Sequence, residues 1–297
     1  MKKFIKRHAL LTGMLAAPIA VRHALLKWRL RPASTTLERM GRIFRSNVVF
    51  EVEEFDGVFS INPRSHLLHR VLQQGYYEPR VSGLFFSLLR PEDDVLDVGA
   101  NVGFYTVGGA KKLTTGRLFA VEPTAEAFAR LSENVKLNSI SNKVILFKGL
   151  IGANKGEAAI NYVPGLEEYS SVNVLEHAAT RDHQVRSEAV PIERLDDLVV
   201  QYGLRPGLIK VDVEGSEYAV FDGARDTLTK FRPTVISELW RAPSNSTGRT
   251  AGDVIELFEK LDYVVKDAHD IRAKPGLPDI GEIVCIPKEK YSRDLLL

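Results

Sequence analysis

Residues 94–106 read DVLDVGANVGFYT, and this stretch decides the fold. The first five residues form a short apolar run that is typical of a buried strand. The turn that follows contains Gly99, Asn101 and Gly103, and the next residues, FYTVGGAKKL, have the pattern of a helix. Because glycine has no side chain, backbone in such a strand-to-helix turn can approach a ligand closely.

From residue 94 onwards, short apolar runs alternate with helical patterns. The other six predicted strands are GRLFAVE, KVILFKG, LIKVDVE, PTVISEL, DYVVKD and GEIVCIP. Strands separated by helices need crossover connections, which give a parallel sheet with helices on both faces. The last two strands have only the loop AHDIRAKPGLPDI between them, so the final strand should run antiparallel. We therefore predict an α/β fold: a Rossmann-like, doubly wound, mostly parallel seven-stranded sheet with an antiparallel last strand.

Three regions are predicted along the chain. Residues 1–33 form a basic amphipathic leader, residues 34–80 an N-terminal extension of helix, β-hairpin and helix, and residues 81–297 the α/β domain. The hairpin is expected over about 47–61, around the turn-forming pair Asp56-Gly57. The helix after it should end at Gly75, and the next should begin at Pro79.

The overall charge is balanced, whereas the leader is basic. Lys and Arg number 40 against 38 Asp and Glu, a net charge of +2, which gives no general basic field and argues against a nucleic-acid partner. Cys285, the single cysteine, excludes an intramolecular disulfide and a Cys-based zinc cluster, and it is expected in the core.

The leader has three interpretations. It carries eight basic residues and no acid, and the first acid of the chain is Glu38. Its apolar run, ALLTGMLAAPIAV, is too short to span a bilayer. It is a helix lying in an anionic membrane surface, a helix packed on the body, or a cleaved signal peptide. We expect a cytoplasmic protein. Under the first of these interpretations, it also associates peripherally with the inner membrane face.

An acid at the end of the second predicted strand indicates the kind of ligand. Glu122 ends the strand LFAVE nineteen positions after Gly103, where an acid can accept hydrogen bonds from both ribose hydroxyls of a nucleoside-containing cofactor. A dinucleotide fingerprint would have a third glycine where Phe104 stands. The turn therefore suits a cofactor without a pyrophosphate.

Together these features resemble class I S-adenosylmethionine-dependent methyltransferases. The segment LIKVDVEGSEYAVFDGA at 208–224, with GYYEP, RLDDL and VISEL, narrows the resemblance to the FkbM family over roughly residues 76–286. It implies S-adenosylmethionine as cofactor and methylation of hydroxyls on sugars and polyketide-type small molecules. The cofactor-site residues that it implies are Asp97, Gly99, Ala100, Asn101, Gly103, Phe104, Tyr105, Glu122 and Pro123.

Three acids are the candidate catalytic residues. Asp212 and Glu214 follow the strand LIKV, and Glu238 lies near the end of the next strand, so all three should meet at one sheet edge. Such an acid can remove the proton of an attacking hydroxyl. They could instead hold a magnesium-like ion, but we predict base catalysis without a metal. Asp212 has a second interpretation as a helix cap, Glu217 is expected at a helix surface or as a first-turn dipole partner, and Lys210 as a packed, paired side chain.

The acceptor pocket should come from two polar segments. One is residues 161–187, which could also be an ordinary surface loop, and the other is residues 240–250. The candidate acceptor contacts are Tyr169, Ser170, Ser171, Trp240 and Arg241. The predicted function is O-methylation of a hydroxyl on a sugar, glycolipid precursor or similar small molecule. The alternatives are N-methylation of a protein or small molecule, and a non-catalytic membrane-surface protein that keeps the fold.

Overall fold

The computed structural model describes residues 47–164, 166–171, 184–239, 248–272 and 281–291. The predicted leader and residues 34–46 of the extension lie outside the described residues, as do Trp240 and Arg241.

The described chain begins with a hairpin and two helices. Strands β1 (Val48–Val52) and β2 (Gly57–Ile61) pair antiparallel around a short 3-10 turn, Glu53–Phe55. Helices α1 (His66–Gln74) and α2 (Pro79–Leu88) follow. Ser65 caps α1 by accepting a hydrogen bond from the Leu67 amide, and Gly75 ends it with a left-handed φ of 86°. The hairpin, the end of the first helix and the start of the second lie where the sequence predicts them.

The central feature of the fold is a sheet of seven strands. Its strands are β3 (Asp94–Val98), β4 (Leu118–Val121), β5 (Val144–Phe147), β10 (Pro206–Val211), β11 (Thr234–Leu239), β12 (Tyr263–Asp267) and β13 (Gly281–Pro287). Their order is β12-β13-β11-β10-β3-β4-β5, and β13 runs antiparallel to both of its neighbours. The predicted mostly parallel sheet with an antiparallel last strand is confirmed. The strand order reverses between β3 and β10, which places a crevice at their carboxyl ends.

Helices cover both faces of this sheet. They are α3 (Phe104–Lys112), α4 (Ala125–Leu137), α5 (Leu195–Tyr202), α6 (Glu217–Asp222), α7 (Arg225–Phe231) and α8 (Ala251–Lys260). Successive side chains of β3 point to opposite faces, so Val95 lies in one apolar layer and Leu96 in the other. Cys285 is buried in the second layer, as expected.

The hairpin shares the first of these layers with the main sheet. The ring of Phe55 stacks on Phe104 at the start of α3, with ring centroids 5.1 Å apart. Asn134 on α4 accepts a hydrogen bond from the Ser60 amide at 2.7 Å. The described part of the extension therefore packs into the same hydrophobic core as the strand that leads into the glycine turn.

A second, four-stranded sheet was not predicted. It consists of β6 (Leu150–Ile151), β7 (Gly156–Val163), β8 (Leu166–Ser171) and β9 (Arg186–Glu193), in the order β6-β9-β7-β8. The alternative interpretation of residues 161–187 as an ordinary surface loop is therefore wrong at the two ends of this segment, where strands β7, β8 and β9 lie. In β7 only Ile160 and Val163 are fully buried, so the strand lacks the alternation by which a half-buried strand is recognised.

None of the helices described is both long and apolar enough to cross a membrane.

Candidate active site

The turn between β3 and α3 requires glycine at its first position. Gly99 has a φ of 84°, and a β-carbon there would lie 1.8 Å from the carbonyl oxygen of Asp212. The amides of Gly99 and Ala100 both donate to the Val121 carbonyl of β4. The turn therefore brings the ends of β3, β4 and β10 together around one point.

A cleft opens beside this turn, at the carboxyl edge of the sheet. Eight of the nine predicted cofactor-site residues line it, Gly103 being the exception, and so do all three candidate catalytic acids. The residues that line it are Leu67, Tyr77, Asp97, Val98, Gly99, Ala100, Asn101, Val102, Phe104, Tyr105, Val121, Glu122, Pro123, Gly149, Leu150, Ile151, Ile160, Lys210, Asp212, Val213, Glu214, Ser216 and Glu238.

Gly103 serves the turn without lining the cleft. Its φ is 93°, and a β-carbon would lie 2.6 Å from the Leu131 side chain of α4. It allows α3 to pack closely on α4.

Glu122 directly follows β4 and lines the cleft, with its carboxylate turned toward the glycine turn. One oxygen, Oε2, accepts a hydrogen bond from the Asn101 amide at 3.0 Å. The other, Oε1, accepts from the amide and hydroxyl of Thr124 at 2.9 and 2.7 Å. A carboxylate offers about four acceptor positions, so about one remains, on Oε2. This arrangement leaves room for one additional hydroxyl donor without rearrangement, rather than the pair that the sequence suggested.

Burial changes the acidity of Glu122. The side chain is buried, and burial raises the pKa of Glu122 to about 7, although the hydrogen bonds from Thr124 and Asn101 act in the opposite direction. The charge of Asp97 acts in the same direction as burial. The carboxyl group of Glu122 can therefore gain or lose a proton near neutral pH.

Asp97 and Asn101 each present a buried oxygen that has no hydrogen-bond partner within the described part of the chain. Asp97 is 1% exposed, and its Oδ2 accepts from the Thr106 hydroxyl at 2.6 Å, while its Oδ1 has no such partner. The Oδ1 atom of Asn101 is likewise buried and has no such partner. Buried polar atoms are normally satisfied, so two unpaired acceptors beside a cleft point to a ligand with hydrogen-bond donors.

The three candidate catalytic acids line the cleft on the side of β10 and β11, across β3 from Glu122, and this side is the acid end of the cleft. Burial, followed by the charges of Asp212 and Glu217, raises the pKa of Glu214 to about 8. Burial and the neighbouring Asp212 and Glu214 likewise raise the pKa of Glu238. Carboxyl groups with pKa values near neutrality can exchange protons during a reaction.

Lys210 is the cation of this cluster. It is 5% exposed, its Nζ atom donates to Asp212 Oδ2 at 3.0 Å, and it lies 4.6 Å from the centroid of the Tyr105 ring. The expectation of a packed and paired lysine agrees with this geometry. Its partner Asp212 follows the end of β10 and does not cap α6 by a side-chain hydrogen bond.

Glu217 was expected either at a helix surface or as a partner of the helix dipole in the first turn. It lies in the first turn of α6, but it is only 4% exposed and so does not lie at a helix surface. Its Oε1 accepts a hydrogen bond from the Gly215 amide at 2.8 Å. It therefore supports the turn that carries Glu214.

Tyr77 and Glu78 were not among the residues predicted to form the site. Tyr77 lines the cleft, and Glu78 Oε2 accepts a hydrogen bond from the Tyr105 hydroxyl at 3.1 Å. Both belong to the motif GYYEP, which was used only as a mark of family resemblance. The available signal was the position of Glu78, directly before the proline that begins a helix, within a motif that carries the family resemblance.

Three of the five candidate acceptor residues lie on an edge strand of the second sheet. Tyr169, Ser170 and Ser171 belong to the edge strand β8, whose side chains are not described, and Trp240 and Arg241 lie outside the described residues. Their acceptor role remains a prediction. Within the described ranges, no group of three His, Cys, Asp or Glu residues is arranged to hold a metal ion.

Comparison with known proteins gives one family. Residues 97–265 match the profile of the methyltransferase FkbM domain. The chain is 26% identical over 170 residues to methyltransferase sdnD of Sordaria araneosa. This alignment covers 49% of this chain and 66% of that protein. It is 31% identical over 142 residues to the hexuronic acid methyltransferase AglP of Haloferax volcanii, covering 46% of this chain and 52% of that protein. The matched region thus spans about half to two thirds of these relatives.

Solved structures include one of the same description. The crystal structure of a methyltransferase FkbM from Methylobacillus flagellatus KT aligns with a TM-score of 0.43 and 15% identity, over 73% of this chain and 54% of that one.

Proposed function

The chain belongs to the FkbM methyltransferase family, and from that premise we propose that it transfers a methyl group from S-adenosylmethionine to a hydroxyl of a sugar, glycolipid precursor or similar small molecule. Family membership confirms the expectation of a class I, S-adenosylmethionine-dependent methyltransferase domain. The chemical class of the acceptor and the roles of individual residues are part of the proposal.

One observation carries the proposal. A single cleft has a buried acid beside a glycine turn at one end, Glu122, and a group of acids with raised pKa values at the other, Glu214 and Glu238. The first arrangement suits a ribose, and the second suits removal of a proton from a hydroxyl. An acceptor and a donor would then meet between them.

The residues at the turn fit the donor. The Oε2 atom of Glu122 has an acceptor position left for a ribose hydroxyl. The unpaired Oδ1 atoms of Asp97 and Asn101 would accept from the donor's ammonium or hydroxyl groups. Gly99 lines the cleft and lets the turn pass close to the Asp212 carbonyl. The donor supplies an electrophilic methyl group and leaves as a thioether when the oxygen–carbon bond forms.

The acids of the chain would handle the proton of the acceptor. We propose Glu214 as the general base, because it lines the cleft and its pKa, raised to about 8, makes its ionised form a stronger proton acceptor than an ordinary carboxylate. Lys210 holds the Asp212 carboxylate at the end of β10. Positioning an acceptor oxygen at this edge would supply much of the rate, on the order of 7–11 kcal/mol for well-oriented reactants.

A sugar hydroxyl is the acceptor that we favour. The relative from Haloferax volcanii is a hexuronic acid methyltransferase, which supports a carbohydrate acceptor. The acid cluster also suits a hydroxyl, which must lose its proton to attack well, better than a neutral amine, which attacks without a base.

The experiment has two parts. Calorimetry with S-adenosylhomocysteine tests the donor site, and transfer of a labelled methyl group to membrane and soluble glycan extracts tests the reaction. We expect labelled glycan with the natural chain and loss of most transfer with Glu214→Gln. No binding of the nucleoside would contradict the proposal, and label in protein amines alone would indicate N-methylation instead.

Membrane association is a separate proposal, based on the basic leader at residues 1–33. Flotation with phosphatidylglycerol vesicles should recover the full chain, and replacement of Lys2, Lys3, Lys6 and Arg7 by Gln should abolish recovery. Equal recovery of both forms would contradict it.

A further inference from the structure

The N-terminal extension supplies one wall of the cleft. Leu67 on α1 and Tyr77 just before α2 both line it, although both precede the family-matched range 97–265. Their presence raises the question of which ligand this wall contacts.

Contacts beside Tyr77 lead to the acid cluster. The next residue, Glu78, accepts a hydrogen bond from the Tyr105 hydroxyl at 3.1 Å. The Nζ atom of Lys210 lies 4.6 Å from the centroid of the Tyr105 ring and donates to Asp212 at 3.0 Å. The charges of Glu78 and Asp212 also add to the effect of burial, which raises the pKa of Tyr77 well above its ordinary range. Tyr77 thus shares its surroundings with the candidate catalytic acids.

Contacts on two sides fix the Tyr77 ring. Its centroid is 5.3 Å from that of Phe104, and the guanidinium carbon of Arg70 lies 5.2 Å above it. Arg70 is also 3.6 Å from the Glu78 carboxylate. A ring held in this way adds a preformed aromatic surface to the cleft, which suits packing against a ring-shaped acceptor.

Glu54, in the turn of the hairpin, holds the backbone that carries this ring. Its carboxylate accepts hydrogen bonds from the Tyr77 amide, from the Glu78 amide at 3.0 Å and from the Ser82 hydroxyl at 2.6 Å. Three donors on one carboxylate fix the chain just before and within the first turn of α2. The hairpin is therefore linked directly to the wall of the cleft.

We propose that Tyr77 is an acceptor-contacting residue and that Glu54 is the residue that positions it, so that the N-terminal extension forms the acceptor wall. The inference rests on the proposed function, since it assumes that the acid end of the cleft receives the acceptor.

Adjacent residues provide matched controls. Tyr76 is 46% exposed and neighbours Tyr77, and Glu53 is exposed and neighbours Glu54. Tyr77→Leu removes the ring, Tyr77→Phe removes the hydroxyl only, and Glu54→Gln replaces an acceptor oxygen by an amide group that cannot accept from the backbone. The controls are Tyr76→Leu and Glu53→Gln.

The assay varies the concentration of the glycan extract that the natural chain methylates, and calorimetry with S-adenosylhomocysteine runs alongside. We expect Tyr77→Leu to raise the half-saturating extract concentration about tenfold, with nucleoside affinity changed less than about threefold. Tyr77→Phe should give a smaller rise, and Tyr76→Leu none. An unchanged half-saturating concentration, or an equal loss of nucleoside affinity, overturns the assignment of Tyr77 to the acceptor.

The positioning role has its own measurement. Glu54→Gln should accelerate amide hydrogen exchange at residues 77 and 78 and raise the half-saturating concentration, whereas Glu53→Gln should do neither. Faster exchange with an unchanged half-saturating concentration overturns the role of Glu54, and it does so even if Tyr77→Leu fails to fold. A natural chain that methylates no extract overturns the proposed function and this inference together.

Discussion

Lys210 and Asp212 form an ion pair at the end of β10, with the Nζ atom of the lysine 3.0 Å from Oδ2 of the aspartate. Burial alone would lower the pKa of Lys210, but the charges of Asp212, Asp97 and Glu78 raise it above its ordinary range. The lysine thus stays charged and balances part of the acid cluster. It also reaches the Tyr105 ring, so it connects β10 with α3.

Replacing this lysine should affect activity and stability together. We expect Lys210→Met to lower methyl transfer by about 100-fold, because Asp212 loses the contact that holds it. The free energy of unfolding should decrease by about 3 kcal/mol, the lower end of the loss expected for a broken buried ion pair, since the Asp212 side chain keeps some solvent contact. Lys210→Arg should recover part of both. Steady-state kinetics and urea unfolding provide the measurements, and a fully active Lys210→Met protein would contradict the role.

The rate of methyl transfer should depend on pH through the acid cluster. A base accepts a proton only when it is ionised, and the pKa of Glu214 is raised to about 8. The rate should therefore rise with pH and level off above about 8. Glu214→Gln should remove this rise together with most of the activity. A rate profile that stays flat between about pH 6 and 9 in the natural chain would exclude Glu214 as the base.

Binding of S-adenosylhomocysteine should depend on pH through Glu122. Burial raises the pKa of Glu122 to about 7, and the ionised form is the better acceptor for a ribose hydroxyl. Affinity should therefore weaken as pH falls below about 7, and binding near pH 7 should release protons. Calorimetry in two buffers of different ionisation enthalpy measures that release. Glu122→Gln should bind more weakly and without proton release; the same proton release in this variant would point to another group.

Gly99 should be intolerant of any side chain. A β-carbon there would lie 1.8 Å from the Asp212 carbonyl, whereas Gly75 has a similar φ of 86° with open space around it. Gly75→Ala should cost only the strain of a left-handed residue, about 1–2 kcal/mol. Gly99→Ala should cost clearly more and abolish nucleoside binding, because β3 and β10 must move apart. Thermal unfolding and calorimetry compare the two variants. Equal losses of stability and of nucleoside affinity in both would show that the close approach to Asp212 is unimportant.

The sheet and the glycine turn could be predicted because their signals are local. The run DVLDV and the turn after it show their character in consecutive residues, and the loop before the last strand indicates its direction. The convergence of Asp212, Glu214 and Glu238 follows from the rule that parallel strands end at one edge. Local signals also located the hairpin and the Gly75 helix end.

The second sheet and the acceptor wall could not be predicted because they depend on distant contacts. Only two residues of β7, Ile160 and Val163, are buried, so its sequence shows little alternation. Tyr77 and Glu54 are 23 residues apart in sequence, and nothing in the sequence of either indicates that one holds the other. The same holds for Asn134, which lies 74 residues from Ser60.

Asn134 gives the last prediction, because it connects the hairpin with the glycine turn. It is fully buried; its Oδ1 accepts from the Ser60 amide at 2.7 Å, and its Nδ2 donates to the Val102 carbonyl at 2.8 Å. Asn134→Ala would leave both backbone groups without this partner, and each such group costs about 1–3 kcal/mol. We therefore expect urea unfolding to show a loss of about 3 kcal/mol. Affinity for S-adenosylhomocysteine should fall as well, since Val102 belongs to the turn. Lys136→Ala, at an exposed position of the same helix, should leave both values unchanged. If Asn134→Ala lowered stability without weakening nucleoside binding, the hairpin would support the core but not the shape of the turn.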